Sequence, residues 1–185
     1  MTDHHQHICP WWLAYTFDNP LRRFFHKPER MFASYVRPGM TVADIGCGMG
    51  YFSLGLARLV QSAGRVIAVD VQPQMLARTS SRSRRAGLAG IVETRLCDGV
   101  SLGLREPLDF VLAFWMVHET ANPADFFRQI KAVLKPAGRL LVAEPKMHVT
   151  PRQFDEMRTI AQNTGLIVTE EPRVAFSRTV LLESA

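Results

Sequence analysis

A glycine-rich turn that contains a carboxylate is the stretch of this sequence with the clearest chemical meaning. Asp44, Gly46, Gly48 and Gly50 occupy alternating positions at the end of a short apolar run. A strand that enters a glycine turn and then a helix is the usual opening of a nucleotide-binding α/β unit, because the turn lets a ligand approach the backbone. The dinucleotide pattern G-x-G-x-x-G requires a third glycine at position 51, where this sequence has Tyr51.

The charge of Asp44 indicates which nucleotide the turn binds. A carboxylate at this position repels a pyrophosphate and attracts a positive group. S-adenosylmethionine carries an ammonium and a sulfonium, so we predict a methyl donor rather than a nicotinamide dinucleotide. The predicted cofactor residues of the turn are Asp44, Gly46, Cys47, Gly48 and Gly50.

Hydrophobic patterning predicts the elements that position this turn. Residues 42–45 form an apolar run, and Phe52, Leu56 and Val60 lie on one face of a following helix. A second strand is predicted over residues 65–70.

The second strand ends in Asp70, which is the next candidate for cofactor binding. A carboxylate at the carboxyl end of this strand can accept both ribose hydroxyls of a bound nucleoside. Val71 and Met75 are then expected to flank the ribose and the adenine.

The glycine turn resembles motif I of the class I S-adenosylmethionine-dependent methyltransferases. The similarity continues through residues 66–70, 97–98 and 134–140, and it extends from about residue 38 to the C-terminus. The sequence is similar in particular to the branch that includes the ubiquinone/menaquinone-biosynthesis methyltransferases. One departure is Ala137, where the family usually has a second glycine. This difference affects the local geometry of a turn and not the assignment of the cofactor.

The resemblance implies a fold as well as an activity. We expect a Rossmann-like, doubly wound α/β fold with a mostly parallel seven-stranded sheet and an antiparallel C-terminal strand. Residues 166–170 and 174–182 are predicted to form the closing antiparallel hairpin. Helices are predicted to begin after Asn122 and at a capping box formed by Thr150 and Gln153.

The end of the third predicted strand, residues 91–96, carries further cofactor candidates. Members of the family often place an acid here that accepts the adenine amino group, which implies this role for Asp98, with Cys97 and Gly99 beside it. The alternative is that Asp98 caps the turn that follows.

The fourth predicted strand, residues 108–114, leads to the candidate catalytic residues. Ligands in open α/β sheets lie beyond the carboxyl ends of the strands, so Phe114 and Trp115 are expected at the cofactor and His118 and Glu119 at the reaction centre. His118 could take a proton from the acceptor. Glu119 could act as the base or orient His118, and the alternative is that His118 only shapes the loop.

Glu144, after the fifth predicted strand over residues 140–143, is a third acidic strand end that could face the acceptor.

The N-terminal part of the chain is predicted to cover the active site. Residues 1–37 form an extension and residues 38–185 the cofactor-binding domain. The extension holds six clustered aromatic residues, which are expected to pack onto the domain: Trp11, Trp12, Tyr15, Phe17, Phe24 and Phe25. Plain core packing of these rings is the alternative. His4, His5, His7 and Cys9 could bind a metal, but we favour a polar terminus and predict no metal.

Composition limits the remaining functions. A chain of 185 residues with 47% hydrophobic and 21% charged residues is typical of one globular protein without a membrane span. Three cysteines without close pairing and the absence of a secretory pattern predict a cytoplasmic protein. The sequence does not indicate an oligomeric state.

The net charge of +5 raises the question of nucleic acid. Arg78, Arg82 and Arg85 share one helical face and could contact RNA phosphates, but no aromatic residues alternate with them, which favours a solvated face. The residues after the fourth strand lack the proline-rich element of base-amine methylation, and no cysteine nucleophile lies there. We therefore expect a small-molecule acceptor, and the aromatic N-terminal segment favours an apolar or aromatic one. The alternatives are an RNA-directed methyltransferase and a non-catalytic regulator that binds S-adenosylmethionine.

Overall fold

The fold is described for residues 25–184 of a computed structural model. The elements in chain order are α1 (Pro28–Phe32), β1 (Thr41–Ile45), α2 (Tyr51–Val60), β2 (Arg65–Asp70), α3 (Pro73–Arg85), β3 (Val92–Leu96), β4 (Leu108–Phe114), α4 (Pro123–Val133), β5 (Leu134–Pro145), α5 (Pro151–Asn163), β6 (Leu166–Glu170) and β7 (Ser177–Ser184). A 3₁₀ turn, Val117–Glu119, lies between β4 and α4.

The seven strands form one sheet in the order β3-β2-β1-β4-β5-β7-β6. The pairs from β3 to β5 are all parallel, and β7 runs antiparallel to both β5 and β6. The predicted fold is therefore confirmed, including the antiparallel last strand. Strand order reverses between β1 and β4, and the crevice at their carboxyl ends is where such sheets bind ligands.

The central strands are buried on both faces, which explains their continuous apolar sequence. In β4, Val111 and Ala113 pack with Phe127 and Ile130 of α4 on one face of the sheet. A second cluster on the other face joins Phe110, Leu112 and Phe114 to Phe32 of α1 and Leu56 of α2.

The predicted helix starts are confirmed by their capping bonds. The Asn122 side chain accepts a hydrogen bond from the Asp125 backbone, and both bonds of the capping box between Thr150 and Gln153 are present. No helix within residues 25–184 is both long and apolar enough to cross a membrane.

Strand β5 begins earlier than predicted because its first residues form a bulge. Leu134 pairs with Leu108, but the next pair is Arg139 with Phe110, so residues 135–138 lie opposite a single residue, Asp109. The Lys135 ammonium contacts the Asp109 carboxylate at 2.7 Å and holds the bulge against β4. Strand β7 begins at Ser177 instead of residue 174.

Ala137 lies in this bulge and has a left-handed backbone, with φ of 61°. A residue with a side chain loses about 1–2 kcal/mol of stability in the left-handed backbone conformation, whereas a new glycine costs about 0.4–1 kcal/mol because it raises the entropy of the unfolded chain. We therefore expect Ala137→Gly to raise the free energy of unfolding by about 0.5–1 kcal/mol. Urea unfolding followed by circular dichroism measures this change.

Gly138→Ala is the matched control, since a Cβ there would lie 2.8 Å from the carbonyl oxygens of Leu108 and Lys135. This variant is expected to be less stable than the wild type. A destabilised Ala137→Gly variant would contradict the strain assigned to the bulge.

Candidate active site

The glycine turn is tightly packed on one side and open on the other. Gly46 has φ of 68° and Gly48 φ of 52°, conformations that favour glycine. A Cβ on Gly46 would lie 2.9 Å from Cβ of Met116, whereas a Cβ on Gly48 would meet no atom within 4 Å. The backbone at Gly48 therefore faces open space that a ligand can occupy.

Asp44 lies inside the protein, only 1% exposed, and its carboxylate accepts a hydrogen bond of 2.5 Å from the Ser53 hydroxyl. Its charge still acts on the turn. Burial raises the pKa of the Cys47 thiol well above its usual range, and the negative charges of Asp44 and Asp70 raise it further. The turn is thus electrostatically negative, which suits a positively charged ligand.

Asp70 connects the end of β2 to the glycine turn. One carboxylate oxygen accepts a hydrogen bond from the Gly48 backbone and the other from the Gln72 backbone, both at 2.9 Å. Asp70 is 7% exposed; burial raises its pKa, and the backbone hydrogen bonds partly oppose that rise. This carboxylate therefore holds the turn in place, and it lies at the strand end where we predict the ribose acceptor.

Two side chains of α3 hold the carbonyl oxygens of the turn, and sequence reasoning assigned neither of them to the site. The Thr79 hydroxyl donates to the Gly48 carbonyl and the Arg82 guanidinium donates to the Met49 carbonyl, both at 2.9 Å. Arg82 belongs to the predicted arginine stripe, so at least this member acts inside the protein. A pattern of charges alone does not reveal such a bond.

The end of β3 lies beside Asp70, since the Cys97 backbone donates to the Asp70 carbonyl at 3.1 Å. One oxygen of the exposed Asp98 carboxylate accepts hydrogen bonds from the backbones of Val100 and Ser101, at 2.9 and 2.7 Å. The bonds from Ser101 and Val100 lower the pKa of Asp98. This is the capping geometry considered above, and contact with the adenine remains a prediction.

The other predicted cofactor residues lie at the same edge of the sheet. Val71 is half-buried, Met75 is 5% exposed, and Gly99 has a left-handed backbone with φ of 82°. Phe114 is buried at the end of β4.

Trp115 follows Phe114 in a strained conformation, with φ of 60°. Its indole N–H donates to the Ser177 hydroxyl at 2.8 Å and its backbone N–H donates to the Ala143 carbonyl at 2.7 Å. Strain of this kind costs about 1–3 kcal/mol and is commonest at functional sites. The contacts to β5 and β7 hold the indole at the end of β4.

His26 is the part of the N-terminal extension that the structure places at this site. Its ring is 3% exposed and packs edge-on against Phe114 and Trp115, with centroids 5.3 and 5.7 Å apart. Its Nε2 lies 2.9 Å from the Ala175 carbonyl oxygen. Of the six clustered aromatic residues, only Phe25 is described; the other five and the candidate metal ligands lie outside the described residues: Trp11, Trp12, Tyr15, Phe17, Phe24, His4, His5, His7 and Cys9.

The candidate base His118 is held by a buried carboxylate. Glu144 is 1% exposed; one of its oxygens accepts from the Val117 backbone at 2.9 Å, and the other contacts Nδ1 of His118. A carboxylate in this position accepts the Nδ1 proton, which leaves Nε2 of the neutral ring as a proton acceptor. Glu119 lies farther away, with Oε1 3.9 Å from Nε2 of His118.

The protonation of His118 is set mainly by burial and by Glu144. Burial lowers the pKa of His118, but the hydrogen bond and charge of Glu144, together with the charge of Glu119, outweigh this and raise it above its ordinary value. Sequence reasoning placed Glu144 at a strand end and gave the orienting role to Glu119. The contact between Glu144 and His118 depends on how the turn at residue 117 packs against β5. The spacing of residues in the sequence does not specify this packing.

No group of three potential metal ligands lies close together within residues 25–184.

The sheet order, the glycine turn after β1 and the acid at the end of β2 define a class I S-adenosylmethionine-dependent methyltransferase. Residues 37–175 match the model of the methyltransferase domain family over more than half of the chain, and the protein belongs to this family. The open backbone at Gly48 and the negative turn fit its cofactor, S-adenosylmethionine.

Relatives and solved structures agree with this assignment. The chain is 36% identical over 113 residues to the ubiquinone/menaquinone biosynthesis C-methyltransferase UbiE of Cellvibrio japonicus, a match over 60% of this chain and 45% of that protein. The chain thus spans less than half the length of this relative. A SAM-dependent methyltransferase from Aquifex aeolicus is 25% identical, with a TM-score of 0.84 over 95% of this chain and 98% of that one. The fold is shared by a structure described as a putative rRNA methylase from Clostridium thermocellum. That protein is 20% identical, with a TM-score of 0.63 over 85% of this chain and 93% of that one.

From the contact between Glu144 and His118 we predict that Glu144→Gln lowers the pKa of His118. The amide can still accept from the Val117 backbone, but the carboxylate's charge is lost while burial remains, so the pKa of His118 should fall. Titration of the histidine ring ¹⁵N signals, assigned with a His118→Gln variant, measures the pKa and the tautomer.

Glu119→Gln is the matched control, because Glu119 acts on His118 only through its charge. It should lower the pKa less than Glu144→Gln does. An unchanged His118 pKa in Glu144→Gln would contradict the described pairing.

Proposed function

We propose that this methyltransferase acts on a small-molecule acceptor that is apolar or aromatic, with His118 as the base that removes the acceptor's proton. The observation that carries the proposal is the contact of buried Glu144 with Nδ1 of His118, which directs the basic Nε2 away from β5. His118 lies in the turn after β4 and Glu144 near the end of the neighbouring strand β5, next to the crevice between β1 and β4.

Exposed rings beside this crevice support an apolar acceptor. Phe25 and Phe176 are each 55% exposed and contact each other edge-on with centroids 5.2 Å apart. Apolar side chains exposed together often mark a binding surface. His26 connects these rings to Trp115, which supports the proposal that residues 1–37 cover the active site.

The cofactor would be held along the carboxyl ends of β1 to β4. Gly48 and its neighbours would receive the amino-acid end, under the negative charge of Asp44. Asp70 would bind the ribose, and Asp98 the adenine through the carboxylate oxygen that does not cap residues 100–101. S-adenosylmethionine supplies an electrophilic methyl group on a sulfonium, whose thioether leaves readily.

The protein's main contribution to such a reaction is alignment. Correct positioning of two reactants can lower the barrier by about 7–11 kcal/mol. A general base adds about 10²–10⁴-fold in rate. In this scheme Nε2 of His118 accepts the proton, and the charges of Glu144 and Glu119 stabilise the resulting imidazolium.

An RNA acceptor is less well supported, because Arg82 of the arginine stripe donates to the Met49 carbonyl. The described cysteines, Cys47 and Cys97, are free thiols, which supports the proposal of a cytoplasmic protein.

Cofactor binding is tested by titrating S-adenosylhomocysteine in a calorimeter. We expect micromolar binding to the wild type and at least tenfold weaker binding to Asp70→Ala, because this change removes the ribose acceptor and the bond to Gly48. Asp125→Ala, an acid on α4, is the control and should bind normally. Absence of heat and of a thermal shift with the wild type would refute donor binding.

The role of His118 as the base is tested with His118→Gln. An acceptor is first found by screening phenols and other acidic aromatic compounds, and the release of S-adenosylhomocysteine is then measured with it. We expect kcat to fall by about 10²–10⁴-fold with unchanged cofactor affinity. Because the base must be unprotonated, kcat/KM of the wild type should rise as pH increases through the raised pKa of His118.

His148→Gln is the matched control, since that ring lies 6.0 Å from the His118 ring and should matter little. If His118→Gln keeps wild-type kcat, His118 only shapes the loop.

A further inference from the structure

A second cleft, of about 560 Å³, lies between α5 and the segment that precedes and begins β7. None of the residues assigned to the cofactor lines it. The charged residues that line it are Lys146, Asp155, Arg158, Glu171, Arg173 and Arg178. Its volume is in the range of small-molecule sites.

Arg178 is the unusual residue of this cleft. Its guanidinium nitrogen Nη1 is buried and makes no hydrogen bond to any residue within 25–184. Buried polar groups in proteins are almost always hydrogen-bonded, and a charged donor is especially costly to leave without a partner. Arg178 itself is partly exposed and lines the cleft, so an acceptor bound in the cleft would lie beside its guanidinium.

The acids of the cleft do not supply that acceptor. Asp155 and Glu171 both bind Arg158, at 3.0 and 2.9 Å. No ion pair joins Lys146, Arg173 or Arg178 to a carboxylate among residues 25–184. The cleft is lined by four cations and two carboxylates, so it carries an excess of two positive charges around an accessible space.

The register of the sheet places this charge close to the candidate active site. Arg178 is paired directly with Glu144 in the antiparallel ladder of β5 and β7, so both side chains project from the same face. The Glu144 oxygens contact the Val117 backbone and Nδ1 of His118, and no ion pair between Glu144 and Arg178 is present among the described residues.

We propose that this cleft is a binding site for a small anionic molecule, whose carboxylate or phosphate oxygens are held by Arg178 with Arg173 and Lys146 at the rim. Arginine suits both groups, since its planar fork of donors matches two oxygens of either. The site is distinct from the donor crevice, and the inference does not depend on the proposed function.

The test uses the full chain and two probes, inorganic phosphate and benzoate, with neutral benzamide as the uncharged reference. Calorimetry and the arginine side-chain ¹⁵N signals report binding. We expect millimolar or tighter binding of at least one anion and none of benzamide, and the anion that binds identifies the source of the oxygens. Arg178→Gln should weaken that binding at least tenfold.

Arg152→Gln is the matched control, because it removes the same charge from an exposed position of α5 that does not line the cleft. Equal weakening in both variants, or no binding of either anion to the wild type, would overturn the proposal. If Arg178→Gln fails to fold, Arg173→Gln takes its place, and wild-type affinity in that variant would overturn the proposal.

Binding of S-adenosylhomocysteine is measured on the same samples to separate this inference from the proposed function. Arg178→Gln should retain it. A wild type that binds S-adenosylhomocysteine but no anion refutes only the cleft, and one that binds an anion but no S-adenosylhomocysteine refutes only donor binding.

Discussion

The hydrogen bond from the Gly48 backbone to Asp70 is the interaction on which the shape of the glycine turn depends. It joins the turn after β1 to the end of β2, and the Thr79 hydroxyl holds the carbonyl of the same glycine from α3. A turn fixed from two sides keeps its shape before any ligand arrives, so little ordering entropy is lost on binding. The left-handed backbone at Gly48 is possible at low cost only without a side chain.

The parts of this structure that follow local rules could be predicted from the sequence. Apolar runs gave the buried strands β1, β2 and β4, and the pair Thr150 and Gln153 marked the start of α5 because a capping box is built within four residues. The glycine turn and Asp70 could be found because their spacing is set by one βαβ unit.

Contacts between distant segments could not be predicted in the same way. Glu144 lies 26 residues beyond His118, and their contact depends on the parallel pairing of β4 with β5 and on the 3₁₀ turn between them. The bond from Arg82 to Met49 and the opposition of Arg178 to Glu144 likewise depend on packing and register. The burial of Asp44 beneath Ser53 could not be predicted either, because it depends on how α2 packs against β1.

The bond between the Trp115 indole and Ser177 has a consequence for biosynthesis. It fastens the end of β4 to β7, a strand made more than sixty residues later. A nascent chain that has already folded its donor-binding half still lacks the strand that anchors this tryptophan. The strained backbone at Trp115 therefore gains its anchor on β7 only after almost the whole chain has been synthesised.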